Sequence, residues 1–193
     1  MGHDPVPLSA TGREQIRLLA ERLAADPPSR IVSSDIRRTV ESAEIISARL
    51  GMAFDRHAGL REVDVGTAKG VSYLEAASRW PEVFDPAGEG RFPDGESFAE
   101  VADRATAYLR AAVIDERGHG GDVLVVTHGG VVRGVAARLL GLPLTAVAAF
   151  LIDNASLTTF RIDAGLVNLV SWNDTAHLGG SVAGGRWPSD VGG

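Results

Sequence analysis

The chain has 193 residues, 45% of them hydrophobic, which suits one domain able to bury its own core. A formal net charge of -6 and a pI near 5.3 exclude a generally basic footprint for nucleic acid or an anionic membrane, so any bound anion must be held by a local cluster. The lack of cysteine excludes disulfides, thiolate catalysis and cysteine-ligated metals.

The first residues lack the charged and apolar regions of a secretory signal, and no apolar run approaches the roughly 20 residues that span a bilayer. With the missing cysteines, this fits a cytoplasmic enzyme. Ile16, Leu19 and Leu23 recur at helical spacing, which predicts a helix within 9–25 that "DPPSR" stops. Thr11 reads as its N-cap, with Glu14 placed to cap back. The apolar "RIVSS" predicts a strand. Asp35 or Ser34 then reads as the cap of a second helix, whose face is Val40, Ala43, Ile46 and Leu50 and whose end is Gly51.

Two capping-box patterns, Ser72 to Glu75 and Ser97 to Glu100, predict a short helix over 72–80 and a longer one over about 97–116, with "FDPAGEGRFPDGE" as loop between them. "DVLVVTHGGVVRGVAARLLGL" reads as a buried strand, a two-glycine turn and an apolar helix ending at Gly141. "SLTTFRI" and "LVNLVSW", separated by Asp163-Ala-Gly165, predict a hairpin at a sheet edge. Alternating strands and helices imply an α/β three-layer sandwich, a mainly parallel central sheet with helices on both faces. The domain is expected to run over 1–172, and the glycine-rich tail over 173–193 is expected to be disordered.

In an open parallel sheet, ligands bind beyond the carboxyl ends of the strands, so polar residues in strand-to-helix turns are the first candidates. His128 follows a strand directly, and Gly129 and Gly130 let backbone N–H groups at the next helix start approach an anion. The bland alternative is a histidine satisfied by a loop carbonyl. Arg37 and Arg38 fall in a first helical turn, where the helix dipole disfavours cations unless they bind an anion. Adjacent helical positions diverge by about 100°, so both cannot point into one cleft. Glu62 and Asp64 lie in an extended stretch before Gly66. A carboxyl beside a bound anion can serve as a general acid, whereas a salt bridge to an arginine is an equal alternative for Glu62.

"IVSSDIRRTVESAE", "LREVDVGTAKG", "FPDGES" and "VLVVTHGGVVRG", in this order and at these separations, resemble the histidine phosphatase superfamily in its phosphoglycerate mutase-like branch. The resemblance spans Gly2 to about Trp172. It implies phosphoryl transfer through a phosphohistidine, with no cofactor and no metal. In the family, a histidine in an Arg-His-Gly motif at the end of the first strand attacks phosphorus, two arginines and a second histidine hold the phosphoryl oxygens, and an acid protonates the leaving oxygen. By motif position the resemblance assigns Arg38 as the second arginine, Glu62 as the acid and His128 as the second histidine, with Gly129 beside it and Gly2 near the substrate. The implied partner is a small phosphorylated substrate, with neither nucleic acid nor membrane, and the edge hairpin offers a surface on which two copies could form a homodimer.

The same resemblance exposes a departure. "GHDPVPLSATG" matches the segment after the first strand, so His3 is not the nucleophile, and no other histidine precedes Arg38. The phosphoacceptor and its strand are therefore expected upstream of Met1, in a record shortened at its start. Two other readings stand beside this one. The chain is a non-catalytic relative that binds a phosphorylated ligand, or it is a mutase-type phosphotransferase.

Overall fold

A computed structural model of the chain describes residues 2–85, 87–114, 121–163 and 165–179. Three strands form a parallel sheet in the order β2-β1-β3: β1 is Arg30–Ser33, β2 is Asp55–Arg56 and β3 is Val123–Val126. Side chains alternate across a strand, and the two sheet faces accordingly feed two cores. Ile31 of β1 and Leu124 and Val126 of β3 pack with Ile16 and Leu19 of α1 (Ala10–Leu23) and Ile46 of α2 (Arg37–Leu50). Val32, Val123 and Val125 face the other way, onto Val101 and Ala105 of α4 (Phe98–Leu109) and Val131 and Val135 of α5 (Gly129–Leu140). The three-layer α/β architecture is as expected.

α4 and α5 lie close because Gly134 has no side chain, and a Cβ there would meet Ala102 Cβ at 2.8 Å. Gly51 and Gly141 close α2 and α5 in the left-handed conformation that glycine adopts at low cost. The short helix forms as α3 (Tyr73–Arg79), where Ser72 accepts from Glu75 N; only Ser97 and Glu100 make the full reciprocal box. α4 ends at Leu109 and a π-helical turn, Arg110–Ile114, continues it, while the last residues of the predicted 97–116 lie outside those described.

Three expectations are corrected. The cap of α1 is Ser9, whose hydroxyl accepts from Gly12 N; Thr11 lies inside the helix and Glu14 pairs with Arg17. Neither Ser34 nor Asp35 is the N-cap of α2. That position is Ile36, without a side-chain cap, because the Asp35 carboxylate is taken by Arg61 at 2.7 and 2.5 Å. The hairpin forms from β4 (Leu157–Asp163) and β5 (Leu166–Asp174), but as a separate two-stranded sheet instead of an edge of the parallel one. The two-residue β2 has no pattern long enough to predict. β5 runs to Asp174 and a 3-10 turn, Ala176–Leu178, buries Leu178, while the predicted disordered tail lies outside the described residues from 180 onward.

Candidate active site

β1 and β3 run side by side, so the residues that follow them emerge together at one end of the sheet. His128 follows β3 as the N-cap residue of α5 and is buried. Its Nε2 lies 2.9 Å from the Ser34 hydroxyl at the end of β1. Burial, followed by the nearby charges of Arg38, His3 and Arg104, pushes its pKa down from 6.5 to about 3, so the ring is neutral at pH 7. A neutral imidazole can donate one N–H to an anionic oxygen without itself needing a counter-ion.

The two arginines diverge as the helical turn requires. Arg37 turns outward to Glu41 at 2.8 Å, whereas Arg38 turns inward, donating to Gly2 O at 3.0 Å and Asp4 O at 3.3 Å. Burial pushes the Arg38 pKa down while Glu62 and Asp4 oppose the shift. Its hydrogen-bond partners are main-chain carbonyls, and the acidic groups whose charge acts on it are Glu62 and Asp4. Gly2 sits at φ +37°, and a Cβ there would lie 2.9 Å from Val63 O, which ties the first residues to the Glu62 segment.

Glu62 settles the role of the two-glycine turn. Its carboxylate accepts from Gly130 N at 3.2 Å and Val63 N at 3.0 Å, so the anion held at the α5 N-terminus is Glu62 itself. A Cβ on Gly130 would fall against Glu62 Oε1, which explains glycine there. Among the described residues no arginine forms the alternative salt bridge with Glu62; main-chain N–H groups hold the carboxylate. Gly129 stands between His128 and Gly130, with Ile152 near its missing Cβ. Arg133, buried one turn further along α5, donates to Phe150 O at 2.7 Å, and burial pushes its pKa down against the charge of Glu62.

The structure thus brings Arg38, Glu62, His128, Gly129 and Gly2 to one end of the sheet. It also brings three groups that the sequence reading passed over. His3 donates its Nε2–H to Glu62 O at 2.7 Å, and its Nδ1 lies 3.5 Å from the Asp64 carboxylate. Arg104 of α4 donates to Glu62 O at 3.0 Å and to Gly59 O at 3.0 Å, and Glu96 binds Arg104 through both oxygens. Arg104 had one legible signal: with Val101 and Ala105 it falls on the buried stripe of α4, an unusual place for a cation. A cleft of about 420 Å³ lined by His3, Asp35, Arg37 and Arg61 opens beside these residues. The remaining histidines go elsewhere, His57 stacking on Tyr108 at 3.8 Å and His177 bonding Ala155 O at 3.0 Å; His119 is outside the described residues. Among the described residues no cluster of His, Asp and Glu could hold a metal, and no helix is long and apolar enough to cross a membrane.

The family model described as histidine phosphatase superfamily (branch 1) matches residues 1–175. The chain belongs to the histidine phosphatase superfamily. Among its superfamily relatives is phosphoglycerate mutase-like protein 4 of Arabidopsis thaliana, 34% identical over 92% of this chain and 78% of that protein. A probable phosphoglycerate mutase of Citrobacter koseri is 31% identical over 92% of this chain and 86% of its own length. Among solved structures, the mycobacterial glucosyl-3-phosphoglycerate phosphatase superposes with a TM-score of 0.76 at 30% identity, over 90% of this chain and 89% of that one. That phosphatase has also been solved with inorganic phosphate; the match has a TM-score of 0.78 at 29% identity, over 92% of each chain.

Proposed function

We propose that this chain forms the phosphoryl-binding and acid half of a phosphomonoesterase that works through a phosphohistidine on a small phosphorylated metabolite. The observation that carries this reading is the convergence of Arg38, His128 and Glu62, from three separate segments, at the carboxyl end of β1 and β3. Arg38 and the neutral His128 supply donors for the phosphoryl oxygens, where charge builds in the transition state. An imidazole nitrogen attacks phosphorus, the bond to the leaving oxygen breaks, and Glu62 in its protonated form gives that oxygen its proton. Water then attacks the phosphohistidine, giving a proton back to the Glu62 carboxylate, and the P–N bond breaks to release inorganic phosphate and restore the free imidazole. Kinship with a glucosyl-3-phosphoglycerate phosphatase and with phosphoglycerate mutase-like proteins favours a phosphoglycerate-type ester as substrate.

The attacking histidine belongs, in this reading, on a strand outside the 193 residues. Among the described residues β3 is paired only to β1, and no ladder joins it to β4. A parallel strand added at that free edge would lie about 4.8 Å from β3. Its carboxyl end would then stand beside His128, because β3 itself runs directly into that turn. The test is turnover of p-nitrophenyl phosphate by the chain alone and by the chain extended at its N-terminus with an apolar strand ending in Arg-His-Gly. The extended protein is expected to exceed the 193-residue chain by on the order of 10⁴-fold or more, the scale on which nucleophile loss acts in other hydrolases. An extended, folded protein without turnover would overturn the reading. Phosphate binding without turnover in both forms would favour a non-catalytic phospho-ligand-binding protein instead.

A further inference from the structure

Glu62 stands in a stretch, 61–65, that belongs to no helix or strand, yet its carboxylate must stay on the N-terminus of α5. Regular structure does not fix it there. The main chain around it is gripped from α4 instead. Arg104 Nη1 donates to Gly59 O and Nη2 to Glu62 O, each at 3.0 Å. Glu96 then holds the guanidinium through both of its oxygens at 2.8 Å, accepts from Asp64 N at 3.0 Å and donates its own N–H to Asp64 O at 2.8 Å. One ion pair therefore ties residues 59, 62 and 64 on either side of the acid.

The pair differs from two other ion pairs of the outer helices. Arg79 with Glu75 and Arg138 with Asp103 bridge side chain to side chain, and one or both partners in each are largely exposed. Such pairs contribute little. The side chains of Arg104 and Glu96 are only about a quarter exposed, and both also bond main-chain groups of the segment that carries the acid. Only a planar guanidinium can serve two carbonyls and a bidentate carboxylate at once; an ammonium at the same place cannot. The neighbouring turn is closed by glycine, since a Cβ on Gly95 or Gly66 would drive into the backbone of the facing loop.

We infer that Arg104 and Glu96 are positioning residues that hold the Glu62 carboxylate against the Gly130 N–H at the start of α5, an assignment that rests on the acid role proposed for Glu62. The Gly130 amide is the reporter, because it donates to Glu62 Oε2. Nitrogen–proton spectra and amide exchange of the full 193-residue chain are compared for the wild type, Glu62→Ala, Arg104→Lys and Glu96→Gln. Glu62→Ala defines the resonance of Gly130 with the bond lost. Arg104→Lys and Glu96→Gln are each expected to move the Gly130 amide proton at least halfway to that position and to speed its exchange about tenfold, with the Gly141 and Leu142 amides at the far end of α5 unmoved.

A purely structural pair would lower the melting temperature and leave Gly130 where it is; that result, in either folded variant, overturns the inference. If Arg104→Lys does not fold, Glu96→Gln alone decides. The readout needs no turnover, so it separates from the functional reading. Gly130 moving in both variants while Glu62→Ala leaves turnover of the strand-extended protein intact would keep the positioning and refute the acid.

Discussion

The two sheets of this protein are built from similar residues and end in opposite states. In the parallel sheet, Ile31, Val32, Ser33 and Ser34 are buried almost completely, and the polar groups that follow the strands find partners: Ser34 with His128, Glu62 with Gly130. In the β4–β5 hairpin, Ile162, Leu166, Leu169 and Val170 remain exposed, between 38% and 65% of their accessible surface. The hairpin is anchored at its open end, by Trp172 to Leu151 O and by Arg22 of α1 to Asp174, and Arg133 of α5 holds the adjoining Phe150 O. A sheet covered on both faces holds a site rigidly, whereas a two-stranded ribbon fixed at one end is marginal without a neighbour. The candidate site accordingly sits on the first, where among the described residues β3 pairs on one side only, with β1.

Breaking the buried side of this contrast should have the larger effect. His128 has a folded-state pKa near 3, below its ordinary 6.5, so between these values the unfolded chain binds more protons than the folded one. Stability contributed by the neutral ring is complete above pH 6.5 and is lost as the pH falls towards 3. Denaturant titrations across that window are expected to show the wild type losing on the order of 1 kcal/mol per pH unit, with a shallower slope in His128→Asn. Equal slopes would mean that the ring is not buried uncharged. On the hairpin side the expected effect is smaller. Arg22→Ala removes the 2.5 Å contact to Asp174, a partly exposed pair, and should cost about 1 kcal/mol or less, with faster amide exchange in β5 and none in β1. The Arg22 contact lowers the Asp174 pKa to about 2, so this contribution is present above pH 4 and fades between 4 and 2. Loss of β1 protection in Arg22→Ala would show that the two sheets unfold together.

What could be read in advance follows the same divide. β3, its turn and α5 were legible because a run of β-branched residues, two glycines and a closing glycine all speak locally, and the turn residues belong to the candidate site. The divergence of Arg37 and Arg38 was legible from helical geometry alone. Illegible were features decided across long separations. Asp35 is lost as a cap to Arg61, 26 residues on, and Arg104 meets Glu62 O across 42 residues. At the two-glycine turn an anion was foreseen, and the Gly130 N–H meets one that belongs to the protein itself, the Glu62 carboxylate. His3 shows the opposite case, a residue set aside by motif position that nonetheless bonds the Glu62 carbonyl and adds to the charge around His128.

The central claim is that Arg38 and His128 together form an anion site that is already assembled in this chain. Calorimetric titration with inorganic phosphate at pH 7 tests it without requiring turnover. The account predicts saturable binding to the 193-residue chain and, because one charge-assisted contact contributes about 1.5–3 kcal/mol, a loss of roughly 10- to 150-fold in Arg38→Ala, with Arg37→Ala near the wild type. Equal affinity in Arg38→Ala and the wild type, or a larger loss in Arg37→Ala, would contradict it.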